Sequence, residues 1–337
     1  MSLAALVAAV AVGAALATAV FVHLAPRLGL LDVPNDRSSH AAPVPRGGGL
    51  PLLGGAFIGV AAAAMFDSDG LSTPTLAVGI GAVIVGLVGL LDDRFGLPPL
   101  LRLLAHALAA SLVVGAAGGL KTLPLPAPLD IPLGVWGAPL AVLWIMAVVN
   151  FYNFMDGIDG VAALQGVIAG GGIALATWSP PAAALGAALA GGCLGFLFHN
   201  WSPARVFLGD IGSGTLGFAF AATPFLAAPP VRPTALLFVA ASLSLFLADA
   251  TWTLGRRALT GARWYEAHRE HAYQRLVIAG WGHARVAATI GAGSLLLTLL
   301  ALFAWHHGGS LAWWAVIAAA LVVYAAEAAL ARAAARA

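Results

Sequence analysis

Three short polar segments carry paired or isolated aspartates at the ends of apolar runs: Asp92 and Asp93, Asp156 and Asp159, and Asp210. Only 9% of the 337 residues are charged, so each carboxylate sits there at a high solvation cost. Carboxylates gathered at such boundaries suit a divalent cation and the phosphate oxygens it would share. Mg²⁺ is the expected ion, with Mn²⁺ as a substitute, because hard oxygen donors and water form its preferred shell.

In GLLDDRFG, Asp92 and Asp93 close an apolar run, where the helix dipole disfavours negative charge. A cationic partner is therefore required nearby. In NFYNFMDGIDG, Asn153, Asp156 and Asp159 recur at intervals of three, so a continuous helix would stack them on one face, suited to a hydrated cation or sugar hydroxyls. In SPARVFLGDIGSG, Asp210 lies between Gly209 and Gly212 just before an apolar run, with Ser213 expected to cap the helix. A flexible turn feeding a helix N-terminus is an anion site, and Asp210 beside it is the candidate metal ligand. Phe207, three residues earlier, is placed to stack on a base, although an aromatic at a membrane boundary is more often packing.

Two further segments carry basic residues and histidines. DVPNDRSSHAAPVPRGGG holds Arg37, His40 and Arg46, and GRRALTGARWYEAHREHAYQRLVIAG holds His268 and His271 among several arginines. With no third nearby ligand and no cysteine, zinc is a poor reading of the two histidines. Binding phosphate is a better one, since arginine and histidine donate to its oxygens without a fixed coordination shell. Arg102 and His106 share a helix face near the same boundary, where a lipid headgroup or simple snorkelling accounts for them. Asp249 lies inside an apolar run and is a functional candidate on that ground; Glu327, close to a basic tail, is a weaker one.

The elements that position these residues are membrane helices. A mean hydropathy of +0.94 with 61% hydrophobic residues excludes an ordinary soluble domain. About eleven runs approach the length needed to span a bilayer: roughly 2–25, 48–66, 74–91, 98–119, 134–151, 161–177, 182–200, 212–228, 233–255, 286–305 and 310–330. With the N-terminus outside, only Lys121 and Arg232 of the 16 basic residues fall on the outer side, as the positive-inside rule requires. All five aspartates then face the cytoplasm. The first run has no basic leader and no small-residue cleavage site, so it reads as a retained span. Five prolines from Pro124 to Pro139 predict an irregular outer loop. Cys193 alone forms no internal disulfide, and no two-half repeat of the transporter kind is visible. The expected fold is an all-α integral membrane protein, one polytopic domain over residues 1–337.

The five polar segments DVPNDRSSHAAPVPRGGG, LVGLLDDRFG, NFMDGIDG, PARVFLGDIGSG and HREHAYQRL, in this order, resemble the cytoplasmic signatures of the polyprenyl-phosphate N-acetylhexosamine-1-phosphate transferases. That family includes phospho-MurNAc-pentapeptide transferase and enzymes that start O-antigen, enterobacterial common antigen and teichoic acid synthesis. The resemblance runs from about Pro26 to Gly280. It implies catalytic roles for Asp92, Asp93 and His271, and Mg²⁺ on Asp210. It implies uracil stacking by Phe207, and a nucleotide-sugar loop of Asn153, Asp156 and Asp159. Arg37, His40, Arg46 and His268 are the expected phosphate contacts, while Arg94 is given no role. The family often continues the last motif with two more histidines, whereas Tyr273 and Gln274 follow His271 here. That form is similar to a branch linked with UDP-N-acetyl-6-deoxyhexosamines such as FucNAc or QuiNAc.

The resemblance implies transfer of a sugar 1-phosphate from UDP-GlcNAc or a 6-deoxy relative to undecaprenyl phosphate in the bacterial inner membrane, initiating a cell-surface polysaccharide. The partners are the two substrates and the bilayer, with no nucleic acid; a homodimer is compatible. A transporter or flippase would place its carboxylates near the bilayer midplane, where Asp249 is the best support. A polyprenyl diphosphate phosphatase would leave Phe207 and the Asn153 segment without a task.

Overall fold

The computed structural model describes residues 2–34, 43–64, 72–262 and 268–335. Arg37 and His40 lie outside them. Thirteen α-helices make up the described chain. The first seven are α1 (Leu3–Leu24), α2 (Gly49–Ala64), α3 (Thr73–Phe95), α4 (Pro99–Ala117), α5 (Gly137–Met155), α6 (Val161–Ala176) and α7 (Pro180–Asn200). The remainder are α8 (Gly209–Ala222), α9 (Arg232–Ser242), α10 (Ser244–Leu259), α11 (Ala272–Ile278), α12 (His283–His307) and α13 (Ser310–Ala334). Seven helices are long and apolar enough to cross a membrane, or up to eight if a bent pair counts as one span. The protein is thus an all-α, multi-pass membrane protein.

Each apolar run of the sequence falls on helix, but not always as a straight one. The run over 233–255 is broken into α9 and α10, which meet at 76°. The α2, α6 and α8 helices are short. Helix starts follow local chemistry: Ser72 and Ser179 accept from the Thr75 and Ala182 amides, and prolines occupy the first turns of α3, α4 and α7.

Interior packing relies on small residues, as expected where lipid supplies no hydrophobic drive between helices. The α7 helix is the hub. A methyl group added at Gly195 would stand 2.1 Å from the Ala11 carbonyl oxygen, and one at Gly191 2.6 Å from that of Val7, so α1 lies directly on the α7 backbone. Large apolar side chains such as Leu16, Ile80, Leu108, Leu143, Leu299 and Leu321 point outward, giving the long helices the apolar exterior that acyl chains require.

The two ends of the bundle differ chemically. At one, Arg232 closes the end of α4 by donating to the carbonyls of Ala117, Gly118 and Gly119. At the other, the C-termini of α3 and α5 meet the N-termini of α4 and α8. A two-stranded hairpin, β1 (Leu31–Asp32) with β2 (Val44–Pro45), lies beside them. It leads into Arg46, which bridges to Phe207.

Candidate active site

The site forms where helix ends converge. Asp93, on the last turn of α3, is fully buried and accepts from the amides of Asp210 at 2.9 Å and Ile211 at 3.1 Å. The amides left unpaired at the start of α8 are thus capped by a carboxylate from another helix. Ser213, expected to cap this helix, sits one turn inside it and bonds the Gly209 carbonyl at 3.1 Å instead. The helix starts earlier than its apolar run because Gly209, at φ +75°, makes the turn and Asp93 supplies the cap. Close approach is permitted by Gly89, where a Cβ would stand 2.6 Å from Asp210 backbone atoms.

The dipole penalty at the end of α3 is offset by two arginines. Arg46 Nε lies 2.7 Å from Asp93 Oδ1, and its Nη2 lies 3.0 Å from Asp210 Oδ1. Arg102 Nη1 lies 2.5 Å from Asp92 Oδ2 and 3.4 Å from Asp210 Oδ2. Asp92 Oδ1 accepts from the Leu97 amide at 2.6 Å. Burial works against the charge on Arg46, but Asp93 and Asp210 outweigh it and hold its pKa above the ordinary value. Arg102 therefore belongs to the carboxylate cluster, a role that its position on α4 did not separate from snorkelling.

Asn153 joins the cluster by donating to Asp210 Oδ1 at 3.1 Å and to Ser213 Oγ at 2.8 Å. The helix ends at Met155, so the three-residue stripe does not continue to Asp159. Asp156 is the C-cap, and the glycines that follow turn the chain away. Burial first, and then the charge of Asp210, push the Asp156 carboxyl up to about 7, against the opposing pull of Arg46. Asp159 points to other partners: its Oδ2 is 3.3 Å from His283 Nδ1 and accepts from the Ala204 amide at 3.2 Å. Burial alone would raise its pKa, yet the contacts to His283, Ser202 and Ala204 hold it below the ordinary value.

Phe207 is half-buried, and its backbone ties the hairpin to α8: its amide donates to the Pro45 carbonyl at 2.8 Å, and its carbonyl accepts from Gly48 at 2.9 Å. The last motif reaches the site through α11. Tyr273 is fully buried; its hydroxyl donates to the Phe154 carbonyl at 3.0 Å, and a Cβ on Gly157 would stand 2.1 Å from that oxygen. Gln274 accepts from the His271 amide at 3.3 Å. Tyr273 thus braces the loop around Asp156, and Gln274 closes the start of α11. The His268 and His271 rings lie 4.9 Å apart. Burial, with His271 and Arg257 beside it, pushes His268 down to about 4 and leaves it neutral. Glu270 pairs with Arg256 and Arg257, fixing this segment to the end of α10.

The charges around Asp210 bear on a metal. Ionised, the carboxylates of Asp92, Asp93, Asp156 and Asp210 exceed the two guanidiniums by a charge equal to one divalent cation. Among the described residues no three acidic or imidazole groups form a ready-made metal shell. Mg²⁺ usually takes one or two carboxylates and completes its shell with water and substrate phosphates, and Asp210 with Asp92 beside it offers two. The donor set therefore fits a hard divalent ion.

The matched family model, Glycosyl transferase family 4, covers residues 75–227, the stretch from α3 through α8. The chain is 33% identical over 299 residues to a decaprenyl-phosphate N-acetylglucosaminephosphotransferase of Mycobacterium tuberculosis, covering 79% of this chain and 74% of that protein. It is 30% identical over 271 residues to a probable undecaprenyl-phosphate N-acetylglucosaminyl 1-phosphate transferase of Bacillus subtilis, covering 79% and 75%. A phospho-N-acetylmuramoyl-pentapeptide-transferase of Heliobacterium modesticaldum is 34% identical over 281 residues, covering 76% and 84%. The chain belongs to glycosyl transferase family 4, the polyprenyl-phosphate N-acetylhexosamine-1-phosphate transferases.

Proposed function

We propose that the protein transfers a sugar 1-phosphate from a UDP-N-acetylamino sugar, UDP-GlcNAc or a 6-deoxy relative, to undecaprenyl phosphate. A phosphate oxygen of the lipid attacks the phosphorus that bears the sugar. The bond between that phosphorus and the bridging oxygen breaks, and UMP leaves with the bridging oxygen. The products are UMP and a lipid-linked diphosphate sugar that starts a cell-surface polysaccharide. The observation that carries this reading is the meeting of Asp92, Asp93 and Asp210 with Arg46, Arg102 and Asn153 at one end of the bundle, with Asp156 within reach of their charges.

Both reactants are anions, so their repulsion is the main obstacle, and positioning with charge compensation is the main remedy. Asp210, helped by Asp92 and Asp156, would hold Mg²⁺, which supplies charge neutralisation for the donor diphosphate and the departing UMP. Arg46 and Arg102 exchange part of their carboxylate contacts for phosphate oxygens when substrates arrive. Asp93, with both oxygens committed to α8, sets where Asp210 stands. Asp92 is the more exposed of the pair and aligns the lipid phosphate in its deprotonated form. His271 donates to or accepts from the acceptor phosphate. Phe207 stacks on uracil, and Asp159 holds the donor loop through His283. Arg37, His40 and His268 complete the phosphate contacts. The positive-inside distribution of the basic residues supports an N-terminus outside and this end at the cytoplasmic face of the bacterial inner membrane, where nucleotide sugars are made.

The test is UMP release by purified protein in nanodiscs with undecaprenyl phosphate and a panel of UDP-sugars, with and without Mg²⁺. The reading predicts release that needs both substrates and the metal. Phosphate release from undecaprenyl diphosphate without a nucleotide would point to a phosphatase, and no turnover with any donor would point to a transporter.

A further inference from the structure

Asp249 and His271 form a buried pair that the cluster around Asp210 does not use. Asp249 sits in α10 shortly after the break from α9 and is fully buried. Both of its oxygens accept from the Ala272 amide, at 3.0 and 2.9 Å, and Thr253 Oγ1 donates to Oδ1 at 3.1 Å. His271 Nδ1 lies 3.4 Å from the same Oδ1, and the imidazole is 2% exposed. The distance is long for a hydrogen bond, and no other polar atom among the described residues partners this Nδ1. Its ring neighbours are Phe154, His268 and Tyr273. Glu327 and Tyr324 of α13 lie in the electrostatic neighbourhood of Asp249.

We infer that Asp249 is the positioning residue for His271: its carboxylate fixes the Nδ1–H tautomer and the ring orientation, leaving Nε2 as the working nitrogen. The inference rests on the assignment of His271 to the reaction proposed above. The physical reason is that a neutral imidazole carries one proton, and the nitrogen that holds it is set by the partner of the other atoms around it. A carboxylate a few ångströms from Nδ1 stabilises the proton there, and an amide oxygen would do so less strongly. The same carboxylate anchors the start of α11, so ring position and helix position are set together. This gives a buried aspartate between helices a task that does not involve ion transport.

The test uses full-length protein in nanodiscs labelled with ¹⁵N-histidine, the His271 signals being identified by their loss in His271→Gln. The expected wild-type spectrum shows Nδ1 protonated and Nε2 unprotonated. Asp249→Asn keeps an acceptor for the Ala272 amide, so the helix content is retained. In that variant the tautomer shifts toward Nε2–H, and kcat falls by about 10²-fold, the lower end of what acid–base groups contribute, while KM for the donor changes by less than about twofold. Asp249→Glu restores part of the tautomer signal, and Asp249→Asn/His271→Gln is no slower than His271→Gln alone. An unchanged His271 spectrum in Asp249→Asn, or losses that multiply in the double variant, would overturn the inference. If the wild type releases no UMP with any donor, the assigned reaction fails, while the spectra still decide whether Asp249 sets the tautomer.

Discussion

Replacing Asp93 tests whether the aspartate pair is divided between structure and chemistry. Asp93 is completely buried, receives two amide hydrogen bonds from the start of α8 and pairs with Arg46 at 2.7 Å. Hydrogen bonds to a charged group contribute about 1.5–3 kcal/mol each, and removing one partner of a buried pair costs about 3–5 kcal/mol. These figures describe the same charge and are not summed, so Asp93→Ala should destabilise by about 3–5 kcal/mol. Asp93→Asn keeps one acceptor, and Arg46 keeps Asp210 at 3.0 Å, so its cost is about 1.5–3 kcal/mol. With roughly 2 °C lost per kcal/mol in a chain of this size, Asp93→Ala should unfold about 6–10 °C below the wild type, followed by tryptophan fluorescence in nanodiscs. Both variants lose activity because Asp210 moves with the start of α8. An Asp93→Ala protein that melts within about 2 °C of the wild type and still lacks turnover would show that Asp93 acts on substrate directly, and the division of labour would be refuted.

Four further outcomes follow from the geometry. Asp210→Asn should abolish UMP release while the protein stays folded, and a wild-type rate would remove its metal role. Gly89→Ala places a methyl 2.6 Å from the Asp210 backbone; overpacking of this kind costs about 1–3 kcal/mol, and turnover should fall sharply, whereas normal turnover would show that α3 and α8 need not touch. Gly157→Ala collides with the Tyr273 hydroxyl, so Tyr273→Phe should partly rescue it, and a double variant no better than Gly157→Ala would contradict this contact. Asp159 is held below its ordinary pKa, so its stabilisation is complete above the unfolded value of about 4 and is lost as the pH falls through the folded value. The difference in thermal midpoint between wild type and Asp159→Asn should shrink on acidification toward pH 3, and a constant difference would count against the His283 contact.

Much of this site is legible in the sequence because membrane proteins place charge sparingly. A carboxylate at the end of an apolar run stands out, and the polar segments with Asp92, Asp93, Asp156 and Asp210 all meet. What stayed hidden depends on contacts between distant helices. The break between α9 and α10 carries neither proline nor glycine, so the run over 233–255 looks continuous. Ser213 has the right residue type for a cap, but Asp93 occupies that role from another helix. The three-residue period over Asn153, Asp156 and Asp159 assumes a helix that Gly157 and Gly160 do not sustain. Arg102 satisfies both the charge pattern expected of an inner face and the needs of Asp92, and only the fold separates the two. Asp249 bonds the Ala272 amide across a loop, a contact that no periodicity reports.

The most direct test of the account is divalent-ion binding at Asp210, followed by Mn²⁺ electron paramagnetic resonance on the full chain in nanodiscs with UDP-GlcNAc present. One bound ion per protein in the wild type, lost in Asp210→Asn without loss of helix content, is the predicted result. Equal Mn²⁺ binding by the two proteins would contradict it.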